Sequence, residues 1–440
     1  MSDAVQVDPV STPAVAAQPS VGMVRRTLAA FHYRDFRVLW FGSCTSSIGT
    51  WMQAVAENWL VLSITGSAFF LGLDAFMQQL PIMLFTLIGG VLADRLDRRR
   101  TLLTSQYIQM SCAFTLAVLV FLHVARVEYI LVLSFITGLA QAFGGPASQA
   151  LVPSLVQKND LPNAIALNSI QFNLARVVGP LLAGGALAMF TMFGRKFNLN
   201  SEASTMVGMA SCFSLNGLSF LVVIVALMSL RVKHIPPAAP KKLHEELRGG
   251  LAYVWQQSSM LALTILAFAT TFLAFSVLTF LPLMAKNVFH QDVAGYTRLM
   301  AFSGSGSVMG AILVAGLGKY RRMGLTALVV QALCGMLIAG FAWSKILWVS
   351  YVLLFCIGAT LIIVFATVAS LVQLVVPNEL RGRVMSIYMV AFRGGMPMGS
   401  LVGGFFASRF GAPPVLVCNG ILLVIVASYF LIRSHGVREL

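Results

Sequence analysis

The chain has 440 residues, of which 58% are hydrophobic and 10% charged, with a mean hydropathy of +0.85. That much apolar surface exceeds what soluble cores can bury, which excludes a soluble globular protein and makes lipid the solvent. The formal charge of +15 does not point to nucleic acid, because the basic residues sit in small clusters between apolar runs and form no continuous basic face with interleaved aromatics.

Residues 1–36 are rich in Ala, Val, Pro and Ser and lack a basic stretch followed by an apolar run and a cleavage site, so they read as a cytoplasmic tail and not a signal peptide. A transmembrane helix needs about 20 mostly apolar residues. Twelve such runs follow, at about 37–62, 68–92, 101–123, 129–152, 164–189, 208–230, 259–284, 296–317, 325–344, 347–371, 384–407 and 413–433. The expected fold is therefore an all-α membrane protein, with six helices in residues 37–230, six in 259–433 and a second cytoplasmic tail at 434–440. The segment 231–258 between them opens with Pro236, Pro237 and Pro240 and continues with Leu243, Leu247, Leu251, Val254 and Trp255 at helical spacing. It reads as a cytoplasmic linker carrying an amphipathic helix.

The two groups of six resemble each other. Asn159-Asp160-Leu161 and Asn378-Glu379-Leu380 are 219 residues apart, as are Gly184-Gly185 and Gly403-Gly404, close to half the chain length. An even number of helices per copy keeps both copies in one orientation, so the pseudo-twofold runs along the membrane normal with a cavity between two six-helix bundles. With the amino terminus inside, 21 of the 30 Lys and Arg fall on inner segments and seven on outer ones, which puts both termini in the cytoplasm. Cys44, Cys112, Cys212, Cys334, Cys356 and Cys418 all lie in apolar runs without a CxxC pair and read as packing residues. There is no HExxH, P-loop or nucleophile elbow, and Gly304, Gly306 and Gly310 lie within one helix with no preceding strand and read as packing glycines. Neither an enzyme nor a metal or cofactor site is expected.

The loop Gly90-x-Leu92-Ala93-Asp94-Arg95-x-x-Arg98-Arg99, with twelve helices in a 6+6 duplication, resembles the major facilitator superfamily and its signature between helices 2 and 3. Asp35-Phe36-Arg37-x-Leu39-Trp40, Gly49-Thr50-Trp51-Met52-Gln53, Trp59-Leu60-Val61-Leu62 and Thr65-Gly66-Ser67 are similar to the bacterial branch that holds enterobactin exporters and macrolide or multidrug efflux pumps. Gly179-Pro180-Leu181-Leu182-Ala183-Gly184 resembles the antiporter motif of helix 5, with Ala in place of one Gly. Asp97 stands where the superfamily pattern commonly has Gly, at a turn position that can favour positive φ, which aspartate tolerates better than most residues. The resemblance implies a monomeric transporter of the bacterial inner membrane, exporting an amphipathic drug, macrolide or siderophore by alternating access, with the proton gradient as driving force and no cofactor. Uptake by symport or uniport is an alternative. A non-transporting receptor would need a folded cytoplasmic domain, and the longest polar linker has only about 28 residues.

Polar groups placed within apolar helices at real cost are the functional candidates. Helix 1 carries Ser43, Ser46, Thr50, Gln53 and Glu57 three or four residues apart, so they share one face that should meet a wet cavity. Glu57 and Asp74 are proton-coupling candidates, and Gln78, one turn after Asp74, is a candidate for the substrate cavity. Glu57 could instead lie at the outer headgroups beside Trp59. Thr137, Gln141, Gly144, Gly145 and Ser148 on helix 4, and Ser169, Asn173, Arg176 and Pro180 on helix 5, form two stripes that could line the passage or pack closely. Arg176 and Arg393 each need an acid, carbonyls or an anionic substrate. If both face inward the cavity favours catecholate or carboxylate cargo; if Arg176 pairs with an acid, its charge is structural. Finally, Asp94 at the end of helix 2 is expected to face the start of helix 11, so that Gly90, Asp94, Arg95, Arg98 and Arg99 latch onto Glu379, Arg381 and Arg383 across the halves.

Overall fold

Backbone polar groups inside hydrocarbon must pair within their own segment, which leaves the helix as the solution for a single apolar run. The computed structural model describes residues 29–95, 97–197, 201–231, 251–318, 322–377, 380–433 and 435–439, with side chains at 87–95, 194–195, 201–202, 317, 381–382, 435 and 439 outside the description. Among the described residues the chain is helical, with no strand.

Twelve long helices follow one another: α1 (Arg34–Thr65), α2 (Ala68–Arg95), α3 (Arg98–Phe121), α4 (Val127–Leu151), α5 (Leu161–Lys196), α6 (Ser201–Ser229), α7 in two parts, α7a (Ser258–Ala274) and α7b (Ser276–Asn287), α8 (Val293–Leu317), α9 (Met323–Trp343), α10 (Leu347–Val375), α11 (Arg381–Phe410) and α12 (Ala412–Arg433). Ten are apolar and long enough on their own to cross a membrane; α1 and α11 are the two not among them. Their polar faces account for this, and both faces reappear below in the functional site. Successive helices run in alternating directions, so the start of α1 and the end of α12 lie on one side, here the terminal side, opposite the distal side.

The turns are short and chemically specified. α1 ends on Gly66 at φ 62°, whose N–H returns to Leu62 O at 2.9 Å, a conformation in which a β-carbon is strained. Asp97 does not take positive φ: it sits at φ −63° and accepts from Arg100 N at 3.1 Å, so aspartate is there as the N-cap of α3. Nearby, Arg98 Nη1 donates to Ala150 O at 3.0 Å, and Arg99 donates through Nε to Leu227 O at 2.7 Å and through Nη2 to Met228 O at 2.6 Å. These two arginines close the carboxyl ends of α4 and α6 within their own half, where helix dipoles favour a cation. The expected latch partners Gly90, Asp94, Arg95 and Arg381 have side chains outside the described set, Glu379 lies outside the described residues, and Arg383 is half-buried at the head of α11. Of the expected amphipathic helix, residues 232–250 lie outside the described residues; 251–256 are helical, with Val254 buried and Trp255 exposed.

Packing repeats from one half to the other. α2 lies on α4 as α8 lies on α10, α3 on α6 as α9 on α12, and α1 on α5 as α7a on α11. The halves meet along α2 against α11 and α5 against α8. Lipid-buried helices gain little from apolar contact with one another, so they approach through small residues that bring backbones together. Gly72 of α2 meets the backbone of Ser400 and Gly404 of α11, and Gly304 of α8 meets the Arg176 backbone of α5. Gly306 and Gly310 lie against Phe355 and Ala359 of α10, which makes them the packing glycines expected. All six cysteines are free.

α7 is interrupted where side chains enter the helical ladder. Leu273 O accepts from Ser276 Oγ at 2.7 Å and from Asn419 Nδ2 at 3.2 Å, and Asn419 also donates to Ser276 Oγ at 2.8 Å. Its counterpart α1 runs unbroken for 32 residues.

A β-carbon on Gly306 would collide with Phe355 O, whereas one on Gly185 meets nothing within 4 Å. Gly306→Val should therefore cost about 1–3 kcal/mol of stability, read as a lowered melting temperature in detergent. Gly185→Ala should be neutral or slightly stabilising.

Candidate functional site

Glu57 of α1, Asp74 of α2 and Ser134 of α4 converge inside the first bundle. Each acid is 5% exposed and the serine 3%. Ser134 Oγ lies 2.8 Å from Glu57 Oε1 and 2.6 Å from Asp74 Oδ1. Glu57 is eight residues from the end of α1 and Asp74 six from the start of α2, about 9–12 Å in from the distal ends at 1.5 Å per residue. Glu57 is thus buried among helices.

A serine hydroxyl has one hydrogen and can donate it to one acceptor. With both carboxyls ionised, one of the two short contacts would be oxygen against oxygen with nothing between them. The arrangement is complete when one acid holds a proton and donates it to Ser134 Oγ while Ser134 donates to the other. Among the described residues no lysine or arginine forms an ion pair with either acid, so proton occupancy is the available way to limit buried charge. The network continues from Glu57 Oε2, which accepts from Gln53 Nε2 at 3.1 Å, through Gln53 Oε1, which accepts from Asn216 Nδ2 at 2.6 Å, to Asn216 Oδ1 and Ser219 Oγ at 3.0 Å. Four helices are tied together by groups that exchange hydrogen-bond roles.

On the terminal side of this network lies a cavity of about 710 Å³. Its walls come from α1 to α6 and, across the pseudo-twofold, from Met385, Ser386, Met389, Val390 and Arg393 of α11. The polar stripe of α1 divides between the two features: Ser43, Ser46 and Thr50 line the cavity, while Gln53 and Glu57 belong to the acid network. Gln141 lines the cavity, together with carboxamides that the sequence did not single out: Gln106 and Gln109 of α3, Gln149 of α4, Asn168 and Gln171 of α5. Their signal was available as a cluster of amides on the terminal-side ends of three apolar helices. Trp40, Trp51 and Phe172 supply flat apolar surface. Among the described lining residues there is no carboxylate.

Besides Gln53, three expected cavity residues are not on the cavity wall. Gln78 presents its backbone to Gly138 of α4. Asn173 turns its Nδ2 back to Ser169 O at 2.8 Å. Arg176 lies with its guanidinium 5.5 Å from the centroid of the Trp51 ring, away from the cavity wall, and among the described residues it has no acid partner. Gly179 of the helix 5 motif lets α5 close onto Ile48, Trp51 and Met52 of α1; Pro180 follows inside the helix, and Gly184 faces Thr297 of α8. The motif is a close-packing surface on two sides of α5.

At the distal end the halves are joined. Trp59 stacks on Tyr296 of α8 with centroids 6.0 Å apart, and Asn58 Nδ2 reaches Tyr296 Oη at 3.4 Å. Tyr296 is fully buried. Residues 57, 58 and 59 thus place an acid, an amide and an aromatic ring on one turn of α1, the first facing its own bundle and the other two facing the opposite half.

A family model described as transmembrane secretion effector matches residues 25–437. Among curated relatives, a staphyloferrin A transporter of Staphylococcus aureus (strain NCTC 8325 / PS 47) is 25% identical over 390 residues, covering 87% of this chain and 92% of its own. Macrolide efflux protein A of Streptococcus pyogenes is 22% identical, covering 89% and 94%, and multidrug efflux pump Tap of Mycolicibacterium fortuitum is 26% identical, covering 91% and 95%. Among solved structures, a bacterial homologue of the human lysosomal transporter Spinster, inward-facing and occupied, aligns with a TM-score of 0.73 at 14% identity over 91% of this chain and 96% of that one. The nucleoside transporter NupG aligns at 0.67 with 13% identity over 90% and 98%. Both likenesses bear on the fold.

Removing the Ser134 hydroxyl leaves two buried carboxyls facing each other with no bridge. Ser134→Ala should lower stability by about 1–3 kcal/mol, the ordinary cost of an unmade buried hydrogen bond. Infrared spectra of the parent should show the C=O stretch of a protonated carboxyl that Asp74→Asn and Glu57→Gln each shift or remove; a parent spectrum without it would contradict the hydrogen count.

Proposed function

The chain belongs to the transmembrane secretion effector family within the major facilitator superfamily, and we propose that this membrane transporter exports an amphipathic small molecule by alternating access, driven by protons moving the other way. The observation that carries this reading is the single hydroxyl hydrogen of Ser134 between the carboxyls of Glu57 and Asp74. A site whose hydrogen bonds change with its proton count shifts the relative stability of any two conformations that hold it differently, which is what coupling requires.

The rest of the geometry supports the same cycle. Cargo enters the cavity from the terminal side, which the distribution of basic residues assigns to the cytoplasm. The distal side is closed by Trp59, Asn58 and Tyr296. Proton exchange at Glu57 acts on the turn of α1 that carries this seal, so loss of the shared proton moves the same backbone that must release Tyr296. Opening the seal at the distal side then exposes the acid pair to the outer solution, where it regains a proton, and the cargo leaves. The macrolide efflux protein and the multidrug pump among the relatives support the outward direction. The carrier works in the bacterial cytoplasmic membrane as a monomer, with no cofactor beyond the proton gradient.

Proteoliposomes with an imposed proton gradient and a trapped pH dye give the test. Glu57→Gln and Asp74→Asn should each abolish gradient-driven accumulation of a transported dye while leaving downhill exchange within about threefold of the parent, since binding and rocking remain. Full gradient-driven accumulation in both variants would remove the acid pair from the mechanism. Tyr296→Ala should separately raise labelling of a cysteine placed at Gln53 by a reagent added from the distal side.

A further inference from the structure

Two arginines lie within the helices of the two halves, and their surroundings differ. Arg176 and Pro180 of α5 recur 217 residues later as Arg393 and Pro397 of α11. The glycine contacts beside them repeat one residue out of that register, Gly179 falling three residues after Arg176 and Gly395 two after Arg393. Gly179 of α5 closes onto Ile48 O, the Trp51 side chain and Met52 N of α1, and Gly395 of α11 closes onto Phe268 O, the Thr271 side chain and Phe272 N of α7a. All three partners advance by the same 220 residues, so Thr271 occupies in the second half the position that Trp51 occupies in the first.

The two arginines differ in cover. In the first half the guanidinium of Arg176 lies over the Trp51 ring at 5.5 Å, an arrangement in which the ring quadrupole partly offsets a desolvated cation. Thr271 offers no ring, and its hydroxyl is already committed to Ala267 O and Phe268 O at 3.0 Å each. Arg393 is half-buried in the cavity wall, and among the described residues it has neither a carboxylate partner nor an aromatic ring beneath it. A guanidinium keeps its charge under any condition met in a cell, so within a membrane protein it is left seeking an anion. The cavity supplies none: its described polar lining is amides, hydroxyls and this one cation.

We infer that the cargo carries an anionic oxygen group, a carboxylate or a comparable oxyanion, held by Arg393, with its uncharged remainder against the aromatic and carboxamide wall of the first half. The inference rests on the export reading for the location of the cargo site and goes further by fixing its charge. Guanidinium and carboxylate match in a two-bond fork that an ammonium cannot reproduce. The binding group then belongs to the second half and the apolar cradle to the first, so a bound molecule spans the two bodies that move apart. A cationic amphiphile would meet Arg393 with no compensating acid, which makes the same residue a filter against it.

Two probes of equal shape and opposite charge decide the matter: anthracene-9-carboxylate and 9-(aminomethyl)anthracene, titrated by fluorescence anisotropy against the full-length protein in detergent. The parent should bind the carboxylate tighter than the ammonium by about tenfold or more, the scale of a charge-assisted hydrogen bond. Arg393→Gln should remove that preference, Arg393→Lys should keep part of it, and Arg176→Gln should change it by less than about twofold because Trp51 screens it. Equal or tighter binding of the ammonium probe by the parent overturns the assignment without recourse to any variant, as does undiminished preference in Arg393→Gln. Proteoliposomes separate this from the transport reading. Selective binding of the carboxylate without gradient-driven movement upholds the anion site and sinks proton-driven export, whereas gradient-driven movement of the ammonium probe in preference to the carboxylate does the reverse.

Discussion

Helices surrounded by lipid gain almost nothing by touching one another through apolar side chains, since the lipid offers the same contact. What holds this bundle is therefore close approach of backbones at small residues and a few polar bonds made where water is absent. Gly72 against Ser400 and Gly404, and Gly304 against Arg176, are points at which the backbones of the two halves meet. Such contacts have little directional chemistry, and beside them one buried apolar cluster, from Met52 and Leu62 to Leu281 and Tyr296, runs across both halves. The polar bonds are concentrated instead within the first half, around Glu57, Ser134 and Asp74.

This division separates two tasks. The acid network lies toward the distal end and inside one bundle; the cavity lies toward the terminal end and between bundles. Nothing in the described structure places the acids on the cavity wall, so in the proposed cycle cargo and protons would be coupled through α1 and not through direct competition for one carboxylate. The same helix presents Ser46 and Thr50 to the cavity, Gln53 and Glu57 to the network, and Trp59 to the opposite half. One rigid element thus touches every part of the proposed cycle.

Much of this was legible in the sequence. Twelve apolar runs are helices whose ends fall within a few residues of where hydropathy set them, except that α5 and α6 extend further at the loop joining them. The stripe on α1 and the two acids were visible because a polar group in hydrocarbon is costly and so conspicuous. Ser134 was not visible, since a serine in an apolar helix reads as a packing residue until the fold sets it between two carboxyls. Asn216, a lone amide in the apolar α6, left a stronger trace for the same reason that Glu57 did. The roles of Arg98 and Arg99 were hidden because the carbonyls they close belong to helices that end far away in sequence. Likewise the cover that Trp51 gives Arg176, and the lack of a ring beside Arg393 among the described residues, show only in the folded contacts.

The interruption in α7 gives the duplicated halves unlike mechanics. α1 is a single rod of 32 residues, about 48 Å long at 1.5 Å per residue, and a tilt imposed at one end reappears at the other. α7 has an elbow beside Phe275, with Asn419 seated in the crook, and its upper segment packs on α1 and α2. A push delivered by the rod can be absorbed by the elbow instead of being passed down the second half. Symmetry of sequence here yields a lever on one side of the axis and a joint on the other.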